Sequence, residues 1–228
     1  ALRGGPRAAS SPSTVVTTAA AAAAAAAAAV AAAAMAALRA AASRVMVVFD
    51  LDACCWNPEM FELWGGGAPF TQNGTQPNNT LTDARGTRVH MLADVASSFA
   101  ELHRRKQAGE HIVVGIASRS DEPTWARECL RKFIVAPGVS MMDVVNDGCC
   151  EIHKGSKIHH LKELQKSAGE PVIPFERMCF FDDDPYNIRD VTTLGVHCFL
   201  TPQGVTKAIF DSGLAAAFGG AKNGDVFD

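Results

Sequence analysis

Val45-Met46-Val47-Val48-Phe49-Asp50-Leu51-Asp52 is the stretch whose reading decides the fold. Five apolar residues without a polar break fit a parallel strand buried on both faces, because a half-exposed strand alternates instead. Two aspartates then follow, in the region beyond the carboxyl end of a strand where open parallel sheets bind their ligands. Working outward, apolar runs recur at His111 to Ala117, Met178 to Phe181 and Val196 to Leu200, with a short strand around Cys149 to Ile152. Helical patterns separate them. One covers 91 to 107, with Leu92, Val95, Phe99 and Leu102 on one face; others run from Pro123 to Phe133, after Gly155-Ser156 through Ile158, Leu161 and Leu164, from Pro185 to Thr193, and from Gln203 to Phe218. Ser118-Arg119-Ser120-Asp121 supplies cap residues for the second of these. Strand and helix in alternation predict an α/β fold with right-handed crossovers and a parallel sheet. Residues 57 to 90 read as loop, apart from a hairpin over Thr80 to His90 broken at Asp83-Ala84-Arg85-Gly86. No internal repeat is present.

The chain has 228 residues, 48% of them apolar, which suits one α/β domain and is short for two. Formal net charge is −3, with a pI of about 6.2, which argues against a polyanion binder; no nucleic-acid partner is expected. Seven cysteines, two of the pairs adjacent and none spaced C-x-x-C, read as reduced thiols rather than disulfides or a zinc site.

Residues 1 to 44 differ from the remainder. Up to residue 49 the chain carries Arg3, Arg7, Arg39 and Arg44, no acidic residue, and an unbroken alanine run from Ala19 to Ala29. That composition is expected of a transit peptide or a low-complexity tail; alanine is too weakly apolar for a membrane span to be favoured. The expected division is a leader over 1–44 and a folded domain over 45–228, located in the cytoplasm or an organelle matrix and not secreted. Without those four arginines, 17 basic residues face 24 acidic ones, so the domain is at −7.

The strand ends carry Asp50, Ser118 and Asp182. Asp50 and Asp52 stand two apart, so an extended chain points both carboxylates to one side. Such a pair divides the work of phosphoryl transfer: Asp50 attacks phosphorus, and Asp52 protonates the leaving group and later takes a proton from water. Asp182 and Asp183 add hard oxygen ligands, which favours Mg²⁺ over zinc. Lys157, in the first turn of a helix, neutralises phosphate charge beside the helix N-terminus. Ser118 offers a hydroxyl to a phosphoryl oxygen, and Arg119 is a candidate for steering the phosphate.

The order D-x-D, Ser, Lys, D-D resembles the haloacid dehalogenase superfamily. More closely, Phe49-Asp50-Leu51-Asp52 with Trp56, Ala117-Ser118-Arg119, Gly155-Ser156-Lys157 and Phe180-Phe181-Asp182-Asp183 with Asn187-Ile188 resemble the magnesium-dependent phosphatase 1 family, over residues 45 to 205. The resemblance implies a Rossmann-like parallel sheet flanked by helices, a phospho-aspartate mechanism, and Mg²⁺ held by Asp50, by Asp52 through its carbonyl, and by Asp182 or Asp183. It also implies aryl phosphate, phosphotyrosine or phosphosugar substrates, small or protein-borne, including protein-bound fructosamine phosphate.

One position departs from the superfamily pattern, with Cys54 where Thr or Val is usual. Packing is the favoured role for Cys54, and oxidation sensitivity the alternative. The intervals between motifs leave room for a flap but no large cap, so an open site is expected, with Gly65-Gly66-Gly67 a candidate for its entrance. His153, His159 and His160 read as solvated, and Trp56 as packing. The alternatives are a carboxy-terminal-domain type protein serine phosphatase and a catalytically silent phosphate-binding scaffold. The first fits Ala53-Cys54-Cys55 poorly, and the second is disfavoured by the presence of Asp50, Asp52, Lys157 and Asp182 together.

Overall fold

A computed structural model describes residues 21–35, 44–72 and 80–219. The chain divides into two units, Ala1–Ala42 and Ser43–Asp228. In the first, residues 21–35 form an exposed helix, α1. Most of the expected leader lies outside the described residues. Among the described residues, no helix is long and apolar enough to cross a membrane.

The second unit is built on a five-stranded sheet. Its elements in chain order are β1 (Val45–Phe49), β2 (Trp56–Asn57), β3 (Thr71–Gln72), β4 (Thr80–Thr82), β5 (Arg88–Met91), α2 (Val95–Gln107), β6 (Ile112–Ser118), α3 (Pro123–Lys132), β7 (Ile134–Ala136), β8 (Val139–Ser140), α4 (Met141–Val144), β9 (Cys150–Ile152), α5 (Lys157–Ser167), β10 (Met178–Asp182), α6 (Pro185–Thr192), β11 (His197–Leu200) and α7 (Lys207–Gly219). The main sheet runs β11-β10-β1-β6-β9, with every pair parallel. β1 is central and wholly buried, as its unbroken apolar run requires. Val45, Val47 and Phe49 pack with Phe99, Leu130 and Phe210, from α2, α3 and α7. Met46 and Val48 pack on the other face with Leu161, Leu164, Ile188 and Val191, from α5 and α6. The result is a three-layer α/β/α sandwich with helices on both faces of the sheet.

Register then places the chemistry. Phe49 pairs with Phe181 on one side and with Ile116 on the other. The next residues along, Asp50, Asp182 and Ala117, are therefore neighbours at one edge of the sheet.

Residues 57–90 are more ordered than their loop-like sequence implies. β2, β5, β4 and β3 form an antiparallel sheet, and β4 and β5 make the expected hairpin. This flap is fixed to α3, where Glu128 accepts from the Phe70 N–H at 2.8 Å and the Lys132 carbonyl accepts from Gln72. Two helix starts also differ. α2 begins at Val95 because Met91 is paired with Trp56 and the Leu92 N–H goes to the Cys55 carbonyl. α7 begins at Lys207, whose N–H is capped by Asp94 at 2.8 Å. The cap of α3 is Glu122, without a side-chain bond, rather than the preceding serines.

The glycine stretch is not at the entrance. A Cβ on Gly66 would meet the Asp83 carboxylate at 1.9 Å, and one on Gly67 would meet the Trp125 ring at 2.3 Å. These glycines let the flap close on its own hairpin, where the Gly67 N–H binds Asp83 at 3.1 Å. Arg44, grouped with the leader from sequence, donates to the carbonyls of Ala168, Gly169 and Pro171 at the end of α5.

Candidate active site

Asp50, Asp52, Ser118, Arg119, Lys157 and Asp183 line one cleft of about 300 Å³ beyond the carboxyl ends of β1, β6 and β10. Asp182 lies beneath it, with no exposed surface. All seven residues singled out from sequence thus converge at one place.

The floor is an ion cluster. Lys157 opens α5, whose cap Ser156 accepts from the His159 N–H, and its ammonium is directed inward. It reaches Asp50 Oδ1 at 2.6 Å and Asp182 Oδ2 at 3.0 Å, and donates to the Ala117 carbonyl at 2.6 Å. Its three N–H donors thus have three acceptors. Burial alone would pull the ammonium's pKa down, but the carboxylates of Asp50 and Asp182 outweigh it and hold Lys157 above the ordinary lysine range.

Asp182 is fixed from several sides. Its Oδ1 accepts from the Asp184 N–H at 2.8 Å, and Asn187 donates to both oxygens at 3.1 and 3.2 Å. Burial, and then the charge on Asp50, push Asp182 up to about 6. Burial, Asp50 and Asp182 push the half-buried Asp183 up to about 7. Asp50 is also raised, chiefly by burial and against the pull of Lys157. Apart from that ammonium, its buried Oδ1 has no hydrogen-bond partner.

Asp50, Asp182 and Asp183 each present a carboxylate oxygen within 4.8 Å of the others. Three crowded carboxylates and a single ammonium leave negative charge in excess. The all-oxygen donor set fits a hard divalent cation.

Asp52 stands apart from this cluster. The Trp56 indole N–H donates to its Oδ1 at 2.8 Å, and the Met60 backbone N–H to the same oxygen at 3.2 Å. Burial raises its pKa, against the hydrogen bonds of Trp56 and Ser120. Ser118 is buried at the end of β6, and its hydroxyl oxygen accepts from the Ser120 N–H at 3.2 Å. Arg119 is exposed at the rim, where the cleft also meets Glu59, Phe61 and Asp121. Sequence reasoning passed over the roles of Trp56, Ser120 and Asn187 here. Trp56 at Asp52+4 and Asn187 at Asp182+5 were visible as spacings, but only the fold shows which atoms meet.

One other reading changes. His160 is fully buried rather than solvated, edge-on to His153 with ring centroids 4.4 Å apart. All seven cysteines are free thiols, as their number and spacing led one to expect.

The sequence profile of the acid phosphatase family matches residues 42–218. The chain belongs to that family. It is 31% identical to magnesium-dependent phosphatase 1 of Homo sapiens over 172 residues, covering 74% of this chain and 84% of the relative. Among solved structures, the N-terminal part of a Bacteroides fragilis protein containing a phosphatase domain, crystallised with Mg, aligns with a TM-score of 0.48 at 16% identity. That alignment covers 80% of this chain and 42% of the solved one, so this chain spans less than half of that structure. The family match and the curated relative make this chain a phosphatase, an enzyme whose substrates are phosphorylated.

Proposed function

We propose that this phosphatase is a Mg²⁺-dependent phosphomonoester hydrolase working through an aspartyl phosphate on Asp50. The observation that carries the reading is the buried Asp50 carboxylate, whose Oδ1 meets only Lys157 and which faces the cleft beside Asp182 and Asp183. Asp50, Asp182 and Asp183 would hold the ion. Bound Mg²⁺ supplies charge neutralisation for the crowded carboxylates and the transferring phosphoryl group.

The chain's own groups do the remainder. Asp50 attacks phosphorus as the bond to the leaving oxygen breaks. Asp52 gives that oxygen a proton, then takes one from the water that hydrolyses the acyl phosphate. Lys157 keeps Asp50 aimed and balances charge at the floor, while Ser118 and Arg119 bind phosphoryl oxygens. The open mouth suits aryl phosphates, phosphotyrosine or phosphosugars, including protein-borne ones, since no large cap among the described residues encloses the leaving group.

The test is hydrolysis of p-nitrophenyl phosphate and phosphotyrosine with Mg²⁺ or with chelator, beside Asp50→Asn. Turnover that requires Mg²⁺, disappears in the variant, and leaves an acid-trapped phosphoryl group on Asp50 by mass spectrometry is expected. Undiminished turnover in Asp50→Asn would remove Asp50 as nucleophile. We further propose that residues 1–42 are separable from the activity; a chain starting at residue 43, which retains Arg44, should match the full chain in turnover and melting.

A further inference from the structure

We propose that Trp56 is a positioning residue for proton transfer: its indole N–H, with the Met60 N–H, occupies Asp52 Oδ1, so the proton handed to the leaving group is carried on Oδ2. The inference rests on Asp52 as the acid/base group.

The geometry behind it is local and rigid. Trp56 is fully buried, stacked on Phe133 with centroids 5.9 Å apart and planes at 27°. Its backbone closes the nucleophile loop, accepting from the Ala53 N–H at 2.9 Å and donating to the Leu51 carbonyl at 3.2 Å. Ala53 itself turns through a φ of 59°, a left-handed conformation that reverses the chain and brings Trp56 back over Asp52. Pairing with Met91 then ties Trp56 into the flap sheet. An indole held at this many points cannot swing away from the carboxyl without breaking the loop.

A carboxyl group's terminal torsion is soft, so an unrestrained Asp52 would present either oxygen over a broad range of angles. Two N–H donors converging on Oδ1 at 2.8 and 3.2 Å remove that freedom. An oxygen already accepting two N–H bonds is the poorer place for the acid's own hydrogen, which belongs on the other oxygen. The Ser120 hydroxyl also interacts with this carboxyl and favours its charged form; because a hydroxyl accepts as well as donates, it is compatible with the carboxyl in either protonation state.

The step balances. A bond forms from Asp50 to phosphorus while the phosphorus–leaving-oxygen bond breaks, its electron pair going to that oxygen, which takes the Oδ2 proton. In the second half, water bonds to phosphorus, its proton returns to Oδ2, and the Asp50–phosphorus bond breaks to release phosphate. Met60 lies in the same short turn as Glu59 and Phe61 at the rim. The segment meeting the leaving group is thus the one that clamps the acid.

The bland reading is that a buried indole N–H has merely found a partner. Leaving-group dependence separates the two readings. A p-nitrophenolate leaves with little help from an acid, whereas an alkoxide needs a proton, and kcat/KM reports the step in which the leaving group departs. In Trp56→Phe, kcat/KM on glycerol 2-phosphate should fall roughly tenfold further than on p-nitrophenyl phosphate, the factor expected from one lost hydrogen bond at the acid. Inhibition by inorganic phosphate should hold. Replacing Trp56 with 3-benzothienylalanine, which keeps both rings and lacks the N–H, should give the same split even if the phenylalanine variant folds poorly. Phe133→Leu, which loosens the packing but keeps the N–H, should lower melting without a split. An equal fall on both substrates in the indole variants overturns the proposal. Asp52→Asn should show a larger split, and its absence would overturn the assignment of Asp52 and this inference with it, whereas a split in Asp52→Asn alone overturns only the role of Trp56.

Discussion

The floor and the rim of this cleft are built in opposite ways. At the floor, Asp50, Lys157 and Asp182 stand on strand ends and a helix start, are almost fully buried, and are held by one another at 2.6 and 3.0 Å. At the rim, Phe61 is 56% exposed and Arg119 has no ion pair among the described residues. The difference teaches where stability and chemistry are the same property. A floor residue that balances buried charge cannot change without costing both, while a rim residue touches mainly solvent and substrate.

The hardest break is Lys157→Met. It removes the only cationic side chain paired with Asp50 and Asp182 among the described residues and leaves buried carboxylates facing each other. Stripping one partner from such a cluster costs about 3–5 kcal/mol, so urea unfolding should shift strongly and turnover should drop by a factor on the order of a thousand or more. If the variant is as stable as the parent, the cluster is not the structural keystone described here.

A second break uses pH. Burial, with the charge on Asp50, pushes Asp182 up to about 6 and Asp183 up to about 7. Carboxylates raised on folding bind protons more tightly in the native state, so between about pH 4 and pH 7 the unfolded chain holds fewer protons and stability falls as pH rises. In chelator, this site alone should cost on the order of 2 kcal/mol from pH 5 to pH 7.5, after discounting the half-exposed Asp183. Mg²⁺ should flatten the profile and raise melting most at the upper end. Denaturant titrations at the two pH values, with and without Mg²⁺, decide it; a chelated profile rising over this range would contradict the crowding of the floor.

The same contrast explains what was legible in the sequence. The floor was legible because its residues sit beside continuous apolar runs, and register in a parallel sheet follows from those runs. The flap was not, because β2 and β3 are two residues each and carry no periodicity of their own; they exist through pairing with β5 and β4. Helix α2 starts late for the same reason, since Met91 is claimed by the flap. The hairpin of β7 and β8 did carry a signal, the Pro137-Gly138 turn between short apolar pieces. His160 looked solvated because its neighbours are polar, yet it lies on the inner side of α5 beneath the loop carrying Gly155, where burial and His153 lower its pKa to about 4.

The rim gives a smaller effect of a different kind. Phe61→Ala removes an exposed ring from the cleft mouth, so melting should stay within about 0.5 kcal/mol of the parent. KM for aryl phosphates should rise by about three- to tenfold with kcat little changed, since ring contact contributes about 0.5–1.5 kcal/mol. Steady-state kinetics on phenyl phosphate and glycerol 2-phosphate measure it; an equal rise for both would place Phe61 outside aryl recognition.

The smallest effect concerns Cys54, four residues after Asp50 in the nucleophile loop. Its thiol is fully buried, donates to the Phe181 carbonyl at 3.6 Å and accepts from the Thr201 hydroxyl at 3.3 Å. Thr201 is itself buried, and its N–H binds the Asp182 carbonyl at 2.9 Å. Cys54 therefore stitches the nucleophile loop to the ends of β10 and β11. Threonine can make both bonds, so Cys54→Thr should stay within about 1 kcal/mol, the value of one such bond, and within about twofold in kcat. Burial drives the Cys54 thiol well above the usual range, helped by the neighbouring Cys55. Almost no thiolate exists at neutral pH, and thiolate is the form that peroxide attacks. Peroxide should thus inactivate the parent no faster than Cys54→Thr. Faster loss in the parent would mean that the loop opens often enough to expose the thiol, and that the floor is less rigid at this corner than its hydrogen bonds imply.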